Sequence, residues 1–224
     1  MAQSSRRLKV LSQSRLGGNL RLLALERDRP FRAGQLLGLS LPPGSGESAI
    51  PPRLYSIASG EGDPFWEVLY SVETEGLLTP LLSRLSSGDR VLVEGPSGDF
   101  GAESGPAVWV GGGTGIAPFV ALARSGKAGG CSLIHAASRP ELFYCEGYFE
   151  DLLGDSYHRC CSRAEEADPR YFRGRAPDFI AGMRDLPADL PWLLCGGSEF
   201  VVDTREALIA RGIPYARILA EVYF

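Results

Sequence analysis

The stretch VWVGGGTGIAPFVALA, residues 108–123, decides the fold. Val108, Trp109 and Val110 run into three glycines, Thr114 and Gly115 follow, and apolar residues then recur at helical spacing. This is the pattern of a strand, a tight loop and a helix. In an open parallel sheet, ligands collect at the carboxyl ends of the strands, so the loop is a candidate ligand cradle. It is not a P-loop, because no Gly-Lys-Ser/Thr follows. It also fails the usual dinucleotide fingerprint: with Gly111 and Gly113 as the first two glycines, the last glycine position holds Ile116.

Toward the C-terminus, strands are predicted at 107–110, 131–135, 157–161, 192–194 and 217–220. Helical segments start near Ile116, Leu142, Ala176 and Ser198. Strand–helix alternation implies right-handed crossovers and a five-stranded parallel sheet. Toward the N-terminus, short apolar runs at 8–11, 20–25, 35–41, 53–57, 66–71 and 90–94 are separated by RLGGN, PPGSGES, SGEGDP and SSGD. That spacing suggests an antiparallel barrel or sandwich, interrupted by one helical segment at 78–85. GPSGDFGAESGP, residues 95–106, is a break in composition. The expectation is two domains: an antiparallel β-barrel over residues 1–101 and an α/β domain over 102–224.

The strand ends of the second half carry one kind of chemistry. They present Gly112, Gly113, Thr114 and Gly115, then Ser138 and Arg139, then Ser162 and Arg163, then Cys195 and Gly196. Glycines let backbone approach a pyrophosphate, helix N-termini offer N–H donors, and arginine forks a terminal phosphate. Nearly all the positive charge is arginine, since Lys9 and Lys127 are the only lysines. The net charge of −4 argues against nucleic-acid binding. Five cysteines without Cys-x-x-Cys spacing argue against an internal iron–sulfur cluster. With no secretory signal, they also suggest a reducing cytoplasm. No apolar run reaches membrane-span length, no metal-ligand set is apparent, and His135 reads as a core residue.

Four further stretches stand in order around GGGTGIAP: RLYS (53–56), EGLLTPLLSRLSSGDRVLVEGPSGDF (75–100), LLCGGSEFVVDTREAL (193–208) and the terminal AEVYF. Together they resemble the ferredoxin–NADP reductase family, most closely the bacterial flavodoxin/ferredoxin–NADP reductases. The resemblance implies that the barrel binds FAD. Arg53 would meet the FAD pyrophosphate, Tyr55 would lie against the isoalloxazine, and Ser56 would sit near flavin N5. Tyr70, Ser71 and Val72 would run beside the ribityl and adenine parts. Gly76, Leu77, Leu78 and Thr79 would face the pyrophosphate with N–H groups and the Thr79 hydroxyl. Thr114 would lie between the two cofactors, and Gly112, Gly113 and Gly115 would cradle the nucleotide pyrophosphate. Cys195 and Glu221 would flank the nicotinamide–flavin stack, with Gly196 beside them. Tyr223 would shield the flavin face, and Phe224 would lie near the FAD adenine.

The same resemblance favours NADP(H) over NAD(H). Arg163 in CSRAEE and Arg175 in RGRAP match arginines of the bacterial NADP-type pattern. Ser138 departs from it, since related enzymes can carry arginine there and this chain has Arg139 one position later, with Glu141 close by. The implied reaction is hydride transfer between NADPH and FAD N5. Single-electron exchange with a separate ferredoxin or flavodoxin follows, in a monomeric enzyme. Arg6, Arg7, Lys9 and Arg15 are candidates for a basic docking face. Two other readings stand beside this one: an NADH-dependent reductase component of a multicomponent oxygenase, and a non-catalytic flavin-binding regulatory protein.

Overall fold

The computed structural model describes residues 5–42, 50–101, 105–164 and 168–223, so Phe224 lies outside the described residues. Strands β1 (Arg6–Gly17), β2 (Leu20–Glu26), β3 (Leu36–Ser40), β4 (Arg53–Ser56), β5 (Phe65–Ser71) and β6 (Arg90–Ser97) form one antiparallel sheet. Its order is β4-β3-β6-β1-β2-β5. The sheet curls until its two edges meet at a single bridge, Ile57 to Val68, so the barrel does not close with a full ladder. Alternating side chains fill it: Leu8, Val10, Leu23, Leu25, Trp66 and Val68 point inward.

A one-turn helix, α1 (Thr79–Leu82), plugs the barrel with Leu78 and Leu82. The predicted helical segment at 78–85 is this turn plus hydrogen-bonded turns from Arg84 N–H to Leu81 O and Leu85 N–H to Leu82 O. Gln13 fastens the plug. Its Nε2 donates to the carbonyls of Leu82 (3.2 Å) and Leu85 (3.1 Å), and its Oε1 accepts from the Tyr70 hydroxyl at 2.7 Å.

The second half alternates β7 (Val108–Gly112), α2 (Ala117–Arg124), β8 (Ser132–Ala137), α3 (Glu146–Leu153), β9 (Tyr157–Cys161), α4 (Ala176–Gly182), β10 (Trp192–Gly197), α5 (Ser198–Ala210) and β11 (Ile218–Tyr223). All five strands are parallel, in the order β11-β10-β7-β8-β9. Both faces are covered, which explains the continuous apolar runs. Val108, Val110, Ile134 and Leu194 pack with Ile180 of α4 and Val201 and Leu208 of α5. Trp109, Leu133 and Leu193 pack with α2, where Trp109 stacks on Phe119 at 5.5 Å. The helix expected near Leu142 begins later. A 3-10 turn at Pro140–Leu142 is followed by Cys145 at φ +61°, which breaks the helical path before α3.

The two halves share a core. Leu20, Ala33, Ala58 and Leu69 of the barrel belong to the same buried cluster as Ile116, Ala117, Phe119 and Val120. Polar ties rim this contact: Arg124 to Glu67 (2.5 Å), Lys127 to Glu61 (2.8 Å) and Glu61 N–H to Ser125 Oγ (2.9 Å).

Candidate active site

The chain runs β7, β8, β9 in one direction across the sheet and returns to lay β10 and β11 on the other side of β7. The switch point, where crevices form in such sheets, therefore lies between β7 and β10. Their ends carry Gly112 to Gly115 and Cys195 to Gly197. The glycines permit contact between these loops. A Cβ on Gly115 would stand 2.1 Å from the Cys195 carbonyl oxygen. Cβ atoms on Gly112 and Gly196 would run into the Phe200 ring at 2.7 and 2.6 Å. Thr114 is half-buried beside them.

A polar cluster closes the crevice from the barrel side. β10 and β11 pair Cys195 with Glu221 and Gly197 with Tyr223, so Glu221 and Tyr223 share one face of the edge strand. Ser56, at the end of β4 and 2% exposed, reaches them across the domain contact. Its Oγ donates to Glu221 Oε1 at 2.7 Å, which leaves the Tyr223 hydroxyl to donate to Ser56 Oγ at 2.5 Å. The Cys195 thiol donates to the Tyr223 oxygen at 3.2 Å and lies 3.8 Å from Glu221 Oε1. The result is a directed chain from thiol to phenol to hydroxyl to carboxylate. Burial pushes the Cys195 thiol and the Tyr223 phenol well above their ordinary values, so both are neutral near pH 7. Burial also raises Glu221, while the hydrogen bond from Ser56 and the nearby Cys195 thiol pull it part of the way back.

The barrel edge beside Ser56 offers donors to an elongated anionic ligand such as FAD. Val72 N–H donates to Asn19 O at 2.9 Å. By strand alternation, Ser71 then turns its peptide groups, and Leu69 its carbonyl, to the open edge past the Ile57–Val68 bridge, where β5 diverges from β4. Arg53 is exposed and its guanidinium forms no hydrogen bond or ion pair among the described residues. Ahead of Pro80, the N–H groups of Leu77, Leu78 and Thr79 have no backbone acceptor among the described residues, while Gly76 N–H donates to Glu73 O. These donors and the open edge fit FAD.

Two details differ from the sequence expectation. The Thr79 hydroxyl is engaged, accepting from Glu73 N–H at 2.9 Å, so its amide is the group left for a ligand. Tyr70 points into the barrel and spends its hydroxyl on Gln13, leaving only its ring, edge-on to Tyr55 at 6.2 Å. Burial pushes the Tyr55 phenol up to about 12, with Arg53 opposing.

Beyond the switch point lies a cleft of about 320 Å³ lined by Gly112, Gly113, Ser138, Ser162, Arg175 and Phe200, among others. Glycine, serine and arginine donors at one rim fit a phosphate-bearing nucleotide. Sequence reasoning gathered all of these except Phe200, the one aromatic of α5. The arginines have unequal surroundings. Arg163 is exposed, and its side chain has no partner among the described residues. Arg139 pairs with Glu141 at 3.8 Å, and Arg175 pairs with Asp203 at 2.7 Å. His135 is fully buried, with Nδ1 2.9 Å from the Tyr157 hydroxyl. Arg6 does not serve a docking face: it pairs with Asp28 at 2.7 Å, donates to Gly95 O at 2.9 Å and lies over Trp66. Arg7, Lys9 and Arg15 are exposed.

No family model matches the chain. Over 219 residues, 90% of the chain, it is 32% identical to the aromatic O-demethylase reductase subunit of Amycolatopsis sp. (strain ATCC 39116 / 75iv2), of which it covers 64%. A crystal structure of Amycolatopsis cytochrome P450 reductase GcoB is similar at TM-score 0.80 and 28% identity, covering 99% of this chain and 71% of that one. The fold is also that of a ferredoxin NADP+ reductase from Neisseria gonorrhoeae with bound FAD and NADP. That match has TM-score 0.85 and 24% identity and covers 98% of this chain and 99% of that one. The chain spans 55% to 65% of the length of the first curated relatives it matches. The fold is that of reductases such as these, and the donors at the barrel edge and in the cleft fit FAD and a pyridine nucleotide. The chain is similar in sequence to reductase components and in fold to ferredoxin–NADP reductases.

Proposed function

We propose that the chain carries reducing equivalents between NADP(H) and a separate one-electron carrier, a ferredoxin or flavodoxin, through FAD. One observation carries this reading. Ser56 on the barrel edge bonds Glu221 at the switch point of the parallel sheet, so the two ligand sites meet at one place. FAD, when bound, supplies the conversion between two-electron and one-electron transfer. The chain's residues bind, orient and handle protons. Arg53 and the amides of residues 77–79 hold the pyrophosphate, and Tyr55 lies along the ring system. Gly112, Gly113, Thr114, Gly115 and Gly196 let the nucleotide approach closely. Arg163 and Arg175, with Ser138 and Ser162, take the phosphate on its adenosine ribose. Ser56 and Glu221 hold a proton beside the reacting atoms, Cys195 keeps the contact neutral, and Tyr223 shields it from water.

We assign residues 1–101 to FAD and 102–224 to the nucleotide. The enzyme is read as a monomer of a reducing compartment, the cytoplasm, which suits five unbridged cysteines.

A second reading has its own support: an NADH-dependent reductase component of an oxygenase. The pairing of Arg139 with Glu141 and of Arg175 with Asp203 weakens the case for a 2′-phosphate, and relatives include a toluate 1,2-dioxygenase electron transfer component and a propane 2-monooxygenase reductase component. Anaerobic mixing of the flavin-loaded protein with NADPH, and separately NADH, decides between them. Fast bleaching of the flavin band by NADPH alone supports the first reading. Preference for NADH supports the second, and no bleaching by either rejects both.

A further inference from the structure

Arg175 is the arginine that lines the nucleotide cleft, and its guanidinium is occupied. Nη2 lies 2.7 Å from Asp203 Oδ2 and 3.5 Å from Glu199 Oε1. Both carboxylates come from α5, one turn apart and on one face. The Arg175 backbone is anchored separately, since its N–H donates to Asp178 Oδ2 at 3.1 Å as α4 begins. The position of the residue is therefore fixed by α4, while the direction of its charge is fixed by α5. Exposure differs between the two acids: Glu199 is 82% exposed and Asp203 33%, which makes Asp203 the stronger tether. Arg163, on the β9 side, has no such tether among the described residues.

We propose that Asp203, backed by Glu199, is a specificity-determining counter-ion that competes with the nucleotide's 2′-phosphate for Arg175. This rests on the reading of the cleft as a pyridine-nucleotide site. A 2′-phosphate would have to draw the guanidinium from Asp203 and also accept the nearness of two carboxylates. An unphosphorylated ribose meets neither cost. Asp203 therefore lowers the preference for the phosphorylated nucleotide without touching the groups that bind the rest of it.

The test is equilibrium titration of the flavin-loaded protein with 2′,5′-ADP and with 5′-AMP, probes that need no turnover. Asp203→Asn should tighten 2′,5′-ADP by about fivefold, the reach of a surface ion pair, and leave 5′-AMP unchanged. Glu199→Gln should act in the same direction by a smaller factor, and Arg175→Ala should abolish the response to either substitution. An unchanged or weakened affinity for 2′,5′-ADP in both acid variants overturns the proposal while leaving the nucleotide site intact. Failure of the wild-type protein to bind either probe overturns the site reading and the proposal together.

Discussion

Ser56 and Glu221 lie 165 positions apart in the chain and 2.7 Å apart in space. The first ends an edge strand of the barrel, and the second sits on the edge strand of the parallel sheet. Together with the Tyr223 hydroxyl, 2.5 Å from the same Ser56 oxygen, this contact ties the barrel to the parallel sheet at the crevice.

Ser56→Ala removes the central member of the hydrogen-bonded chain and leaves Glu221 and Tyr223 short of a partner. The unfolding free energy should fall by about 1–2 kcal/mol. Flavin reduction by nucleotide should slow by about tenfold or more. Denaturant titration reads the first effect and anaerobic stopped-flow absorbance the second. Unchanged reduction kinetics would remove Ser56 from the site.

Two buried groups should give pH dependences of opposite sign. Burial, with Arg159 adding to it, lowers His135 from 6.5 to about 3. Between those values the unfolded chain holds the extra proton, so stability is full above pH 6.5 and is lost as pH falls. The slope is about 1.4 kcal/mol per pH unit. Glu221 is raised above its ordinary 4.5. Here the folded state holds the extra proton, so its contribution is present below 4.5 and declines as pH rises through the raised value. His135→Asn should flatten the acid side of a stability–pH curve. Glu221→Gln should remove a decline on its neutral side. Denaturant midpoints measured from about pH 4 to 8 check both.

Gly115→Ala places a methyl group 2.1 Å from the Cys195 carbonyl oxygen. Backbone cannot rotate away as a side chain can, so the loops of β7 and β10 must part. A loss of about 3 kcal/mol is expected, together with loss of nucleotide binding. Chemical denaturation and 5′-AMP titration measure the two.

Cysteine reactivity should follow burial rather than position at the site. Cys131, Cys160, Cys161 and Cys195 are buried and Cys145 is half-buried. Burial raises the Cys195 thiol well above its usual value. Alkylation of the folded protein near pH 8, mapped by mass spectrometry, should therefore label Cys145 first and Cys195 slowly. Rapid labelling of Cys195 would contradict its role as a neutral contact.

Much of this was legible in the sequence because the signals are local. Glycine and serine turns marked the barrel strands, and strand–helix alternation gave the five parallel strands and their ligand-bearing ends. The helix after β8 was misplaced because Cys145 takes a left-handed conformation that no local pattern betrays. The tethering of Arg175 by Asp203 was invisible because its two members meet only once α4 and α5 pack together. Arg6 looked like a surface charge until the fold brought Asp28 and Trp66 beneath it. One missed feature did leave a trace. β2 reads LRLLALE, apolar on both faces, which a barrel strand with one solvated face would not need.

The second apolar face of β2, with Leu20 set against Ile116 and Phe119 together with Leu69 of β5, bears on protein engineering. Exchanging the α/β half between relatives amounts to transplanting half of a shared apolar core. A chimera cut at the glycine-rich stretch 95–106 would carry mismatched side chains into that seam unless positions 20, 69, 116 and 119 travelled as a set. The recombination point that looks most natural in the primary structure is therefore the one least tolerant of careless swaps.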